Sequence, residues 1–131
     1  MTSVVEYDLH EWLPGWGENK ITTRSENGDF IVSVTYDGLD GVEKMKSLIF
    51  RLTCFYSVGS FPGVGAMGYK HDYEFSTGKI LKITDSEFMT KWNEYWQAAW
   101  PNVKRECNHF VLFFGSENKV IHVVASDVII L

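Results

Sequence analysis

Four histidines, two cysteines and one glycine-rich run are the features of this 131-residue chain whose residue types could do more than pack. Imidazole transfers protons near neutral pH and ligates metals. His10, His71, His109 and His122 show no H-x-x-x-H spacing, and Cys54 and Cys107 no C-x-x-C spacing, so the ligand patterns of a zinc site are missing. His71-Asp72-Tyr73-Glu74 is dense in ligand atoms, but strand neighbours face opposite ways, so only His71 with Tyr73, or Asp72 with Glu74, could act together. A hairpin that pairs Gly115 with Val120 puts His109 and His122 on one side about 13 Å apart, too far to share a metal. Each histidine is expected to be a surface or hydrogen-bonded structural residue. No metal, cofactor or catalytic residue is assigned.

Gly63-Val64-Gly65-Ala66-Met67-Gly68 matches G-x-G-x-x-G, which binds a dinucleotide only where the last glycine opens a helix. Tyr69 to Phe75 instead alternates like a strand with a charged outer face, and the chain has no βαβ alternation. The run 57–68 therefore reads as a bent or flexible connection, a candidate lid. Neither a G-x-S-x-G elbow nor a G-x-x-x-x-G-K loop occurs. Cys54 shares a face with Leu48, Phe50 and Leu52 and reads as a small apolar group. Cys107 follows Lys104-Arg105, whose positive charge favours a thiolate, so it is the better candidate for a reactive thiol.

Seventeen acids against twelve bases give a net charge of −5, the opposite of a nucleic-acid binder's footprint. The imbalance is local, because residues 1–43 hold nine acids and two bases, net −7. Aromatics reach 15%. In Glu6-Tyr7-Asp8-Leu9-His10-Glu11-Trp12-Leu13-Pro14-Gly15-Trp16-Gly17-Glu18 indoles alternate with carboxylates on a segment broken by Pro and Gly, and Trp and Tyr are enriched at binding hot spots. Asp8, Glu11, Trp12, Trp16 and Glu18 are the candidate partner-binding residues. A structural role, in which the indoles plug the end of a sheet, and ligand stacking on Trp remain open.

Several elements must position these groups. Asn27-Gly28 supplies the positive φ angles of a tight hairpin turn between 21–25 and 30–36. Leu48 to Ser57 alternates as one internal strand, and Lys79 to Ile83 as a short strand paired with 69–75. The capping box Thr84-Asp85-Ser86-Glu87 opens a helix over 85–100 that Pro101 ends, with Phe88, Trp92, Trp96 and Trp100 on one stripe. Asn108–Gly115 and 120–125 form a hairpin whose apolar face (Phe110, Leu112, Phe114, Ile121, Val123, Ala125) the Trp helix is expected to cover, and 127–131 is a final strand. The expected fold is a single α+β domain over 1–131: a curved antiparallel sheet of about six to eight strands packed on one main helix. No basic leader and no apolar run of membrane length is present, so a cytoplasmic chain with reduced thiols, no membrane and no nucleic acid is expected.

The Trp helix, followed by His109-Phe110-Val111-Leu112-Phe113-Phe114 and Val120-Ile121-His122-Val123-Val124-Ala125, resembles small bacterial immunity proteins that neutralise polymorphic toxins. The resemblance covers the C-terminal third and carries over no functional residue. It implies a small acidic binding protein whose partner is a basic toxin domain met by electrostatic steering. The alternative is a small-molecule binder or enzyme with a cavity between the Trp-rich helix and the sheet, where His71, Tyr73, Trp92, Trp96 and His109 are the candidate lining residues. Oligomeric state is not legible.

Overall fold

A computed structural model describes residues 3–60, 78–103 and 106–131. The chain is an α+β domain of antiparallel strands with one α-helix. Among the described residues the nine strands divide into two sheets, where one curved sheet was expected. Strands β1 (Ser3–Asp8), β6 (Lys79–Ile83), β7 (Asn108–Phe114), β8 (Lys119–Ala125) and β5 (Phe55–Ser60) form the first, in that order. The second runs β2 (Lys20–Glu26), β3 (Asp29–Asp37), β4 (Glu43–Arg51), β9 (Asp127–Ile130).

Alternation explains the layering. On β3 and β4, Phe30, Val32, Val34, Tyr36, Leu48 and Phe50 are buried, and they meet Ile80, Phe110, Leu112, Phe114, Ile121, Val123 and Ala125 of the other sheet in one core cluster. Phe50 lies 5.6 Å from Phe110, and Phe30 stacks at 4.2 Å on Tyr56, so aromatic pairs bridge the sheets in two places. The apolar face of the C-terminal hairpin is thus covered by the second sheet, which corrects the expectation that the Trp helix covers it. The second sheet can bury the whole apolar face of β7 and β8, whereas a single helix offers only a stripe.

The β2–β3 hairpin turns at Asn27 (φ 53°) and Gly28 (φ 83°), as the Asn-Gly pair predicts. The expected strand from Leu48 to Ser57 is in fact two. Leu52 takes a left-handed φ of 51°, and the chain leaves β4 in one sheet to begin β5 in the other. Residues 57–60 accordingly belong to a strand, not to a loop. The return crossing, β8 to β9 through Ser126, runs beside the first. The Ser126 N–H donates to the Arg51 carbonyl at 2.9 Å, and the Cys54 N–H to the Val124 carbonyl at 2.8 Å.

Arg51 closes this corner on Asp127, its Nε donating to Oδ1 at 2.7 Å and its second nitrogen to Oδ2. That hydrogen bond and the guanidinium charge hold the Asp127 carboxyl below its ordinary value. A depressed folded-state pKa stabilises the fold above the unfolded carboxylate's titration and loses that effect as pH falls through the folded value. Asp127→Asn should therefore lower the urea midpoint at pH 7 only slightly, because the pair is exposed and screened by solvent. The difference from wild type should shrink as pH falls through the folded-state value of the carboxyl and vanish in stronger acid; urea titrations at pH 7 and across that acid range check this.

The helix α1 spans Glu87–Ala99, within the expected 85–100, but its N-cap is Ser86, not Thr84: the Ser86 Oγ accepts from the Met89 N–H at 3.1 Å. None of its residues is fully buried. It touches the outer face of the first sheet through Phe88, 4.6 Å from Phe55 and 5.9 Å from His109. Leu81, Ile83, Val111 and Val120 form a second apolar cluster on the first sheet, with Phe113 packed against it. The expected strand 69–75, its hairpin with 79–83, the Gly63–Gly68 motif and the candidate residues His71 and Tyr73 lie outside the described residues. No helix among the described residues is long and apolar enough to cross a membrane.

Candidate functional site

The acidic aromatic segment starts on β1 and turns through a short 3₁₀ segment, Leu9–Glu11, whose N-cap is Asp8. The Asp8 carboxylate accepts the His10 N–H at 3.0 Å, so part of its hydrogen-bonding capacity is used locally. Leu9 and Leu13 point into the core and fix the segment's path. Trp12 is half-buried, 5.1 Å from Tyr36, with the Lys46 ammonium 5.8 Å above its ring. Partial burial, then the Glu11 carboxylate, hold the Tyr7 phenol above its ordinary value, while the Trp12 indole works the other way. Tyr7, Glu11 and Trp12 are thus neighbours.

Glu18 is corrected as a partner-binding residue. It is buried, and its Oε1 accepts the Glu117 N–H at 2.9 Å, which pins the β7–β8 turn to the segment and turns the side chain inward, away from a docking partner. Trp16 behaves differently. It is 57% exposed, and its indole N–H donates to the Asp37 carbonyl at 3.3 Å, which places the indole at the end of β3, where the turn of the β3–β4 hairpin begins. At the tip of that hairpin Leu39 is 89% and Val42 57% exposed. Asp37, Asp40 and Glu43 flank Leu39 and Val42 along the chain, and the Asp37 carbonyl is the group that Trp16 bonds. The Val42 N–H, and then Lys44, hold the Asp40 carboxyl below its usual range, so it stays ionised. Sequence reasoning found Trp16 but missed the hairpin tip. The signal was present in Asp37-Gly38-Leu39-Asp40-Gly41-Val42, where two apolar residues sit in a turn that cannot bury them.

A second cluster lies beneath the start of α1. The β7–β8 hairpin pairs Phe114 with Lys119 and Val111 with His122, not Gly115 with Val120. Asn118 takes a φ of 49° and its N–H reaches the Gly115 carbonyl, so the turn closes one residue earlier than expected. His109 and His122 become diagonal neighbours, and their Nε2 and Nδ1 atoms are 2.9 Å apart, correcting the expected 13 Å separation. His109 Nδ1 in turn lies 2.6 Å from Ser86 Oγ. All three residues are buried. Ser86 Oγ already accepts the Met89 N–H, so its own hydrogen is free to point at His109 Nδ1; this assignment leaves His109 Nε2–H to donate to His122.

Ser86 and His109 border a cavity of about 570 Å³, lined also by Lys82, Asp85, Thr90 and Asn93. His109 is therefore the one described residue of the expected cavity set that lines it. Trp92 and Trp96 do not. They stack on each other at 5.4 Å, Trp96 lies 4.7 Å from Trp100, and the Trp96 indole N–H donates to the Val103 carbonyl at 2.8 Å. Among the described residues no group of three His, Cys, Asp or Glu side chains converges as a metal site would require. No protein-family model, curated protein or solved structure matches this chain.

Proposed function

We propose that this chain is an acidic protein-binding domain that neutralises or regulates a basic protein partner, in the manner of the immunity proteins it resembles. The observation that carries the reading is exposed Trp16 bonded to the Asp37 carbonyl at the start of the β3–β4 turn, a turn that exposes Leu39 and Val42 and carries Asp37, Asp40 and Glu43 along the chain. A large aromatic anchor beside smaller apolar contacts and a charged rim is the composition of an interface hot spot. Asp8 and Glu11, in the same acidic segment as Trp16, add negative charge, which speeds encounter with a basic surface.

The test is capture of partners from source lysate by the tagged chain at low and high salt, with protein and small-molecule mass spectrometry of the eluate. A basic protein that leaves at high salt is expected. Trp16→Ala should weaken its binding by about thirtyfold or more, as loss of a ~2 kcal/mol anchor does. Its melting temperature should be unchanged, since only one exposed hydrogen bond is lost. An affinity untouched by both Trp16→Ala and Asp37→Asn/Asp40→Asn would sink the reading.

The second reading, a small-molecule binder or enzyme, is favoured by the cavity beside Ser86 and His109. A hydroxyl hydrogen-bonded to an imidazole that a second imidazole orients is the arrangement that activates a serine. A small molecule retained in the same eluate without any protein partner would favour it over the docking surface.

A further inference from the structure

We propose that Cys54 and Cys107 form a reversible intramolecular disulfide, so that the corner where the chain changes sheets is an oxidation site for peroxides. The two thiols are 53 positions apart in sequence, yet their sulfurs are 3.1 Å from each other. Both side chains are half-buried, and neither cysteine is in a disulfide. A bond requires the sulfurs to close by about 1 Å, to ~2.05 Å.

The backbone holds each thiol in place independently. Cys54 precedes β5, and its N–H is bonded to the Val124 carbonyl of β8 at 2.8 Å. Cys107 precedes β7 on the other side of β8. There the Asn108 side chain donates to the Ser126 carbonyl at 2.9 Å, and the Ser126 hydroxyl to the Glu106 carbonyl at 3.4 Å. β8 thus lies between the strands that carry the two cysteines and presents their thiols to each other at its end. Two thiols held at contact distance make the second step of oxidation intramolecular and fast.

The chemistry balances with hydrogen peroxide as the oxidant. One thiolate attacks a peroxide oxygen, the O–O bond breaks, and a sulfenic acid and hydroxide result. The second thiolate attacks that sulfur, the S–S bond forms, and the S–O bond breaks with loss of a second hydroxide. The two thiol protons convert both hydroxides to water. The two sulfurs together lose two electrons, which the peroxide oxygens gain.

The full chain, reduced and then exposed to hydrogen peroxide, should lose the mass of two hydrogens and both alkylatable thiols while staying monomolecular. Dithiothreitol should restore both thiols. Cys54→Ser and Cys107→Ser should each instead gain one or more oxygens on the remaining sulfur. Wild-type protein that gains oxygen on one cysteine with the other still alkylatable would overturn the proposal, as would disulfide found only between molecules.

Discussion

Phe110→Ala should lower folding stability by about 3–5 kcal/mol, the loss expected when a fully buried aromatic is truncated where neighbours cannot collapse. Phe110 is 1% exposed on β7 and meets Phe50 of β4 across the interface between the sheets. Its removal opens a void between two layers that their own hydrogen-bonded strands keep apart. Phe110→Leu keeps most of the volume and should cost less than half as much. Urea titrations of both variants check this: the midpoint should fall steeply for Ala with the slope unchanged, since the surface exposed on unfolding is nearly the same. A cost below ~1 kcal/mol for Phe110→Ala would mean that the sheets are not packed through this residue.

His109→Ala is expected to cost roughly 3 kcal/mol, by a different route. The change removes a buried ring and also takes a partner from both Ser86 and His122. Polar groups left buried without that partner bear a desolvation cost, and the Ser86 cap loses the contact that ties the start of α1 to β7. His122→Ala leaves the Ser86–His109 contact intact and should cost less. The double variant should cost less than the sum of the two singles, by ~0.5–3 kcal/mol, because the rings act as one network. Additive costs in that cycle would show the two histidines to be independent. Far-UV circular dichroism should report loss of helix in His109→Ala before global unfolding.

Short-range signals were legible in the sequence. Asn27-Gly28 marks the β2–β3 turn because only a few residues adopt the left-handed geometry it needs, and period-two alternation marks the inner faces of β3, β7 and β8. The helix is legible from its four-residue aromatic spacing and Pro101, although the cap falls at Ser86 because that hydroxyl also serves His109. What could not be read is which face meets which. The break at Leu52 carries no local mark, since an apolar residue there continues the alternation while its backbone turns left-handed. β1 was equally silent, because Val4 and Val5 are exposed and no inward periodicity announces the strand.

The candidate sites divide along the same line. Trp16 was legible as an aromatic among carboxylates. Its bond to the Asp37 carbonyl at the start of the β3–β4 turn depends on a hairpin that must be placed in space. The histidine pair was visible as two residues on one face, and a turn closing one residue earlier changed their separation from several residues to hydrogen-bonding distance. Glu18 shows the opposite failure. A carboxylate in an acidic run reads as surface charge, and only the fold reveals the buried amide it satisfies.

The order of the first sheet also governs how the chain is born. Among the described residues β5 pairs only with β8, whose residues 119–125 are synthesised about sixty residues after it. During that interval β2, β3 and β4 can already pair with their sequence neighbours, while β5 waits with its backbone groups open to other chains. Two glycine or serine residues at its end, Gly59 and Ser60, and a tyrosine-to-serine step at 56–57 keep that waiting strand from being uniformly sticky. Its pairing with β8 waits until β8 has been synthesised, and that interval is when nascent molecules are most open to joining one another through β5.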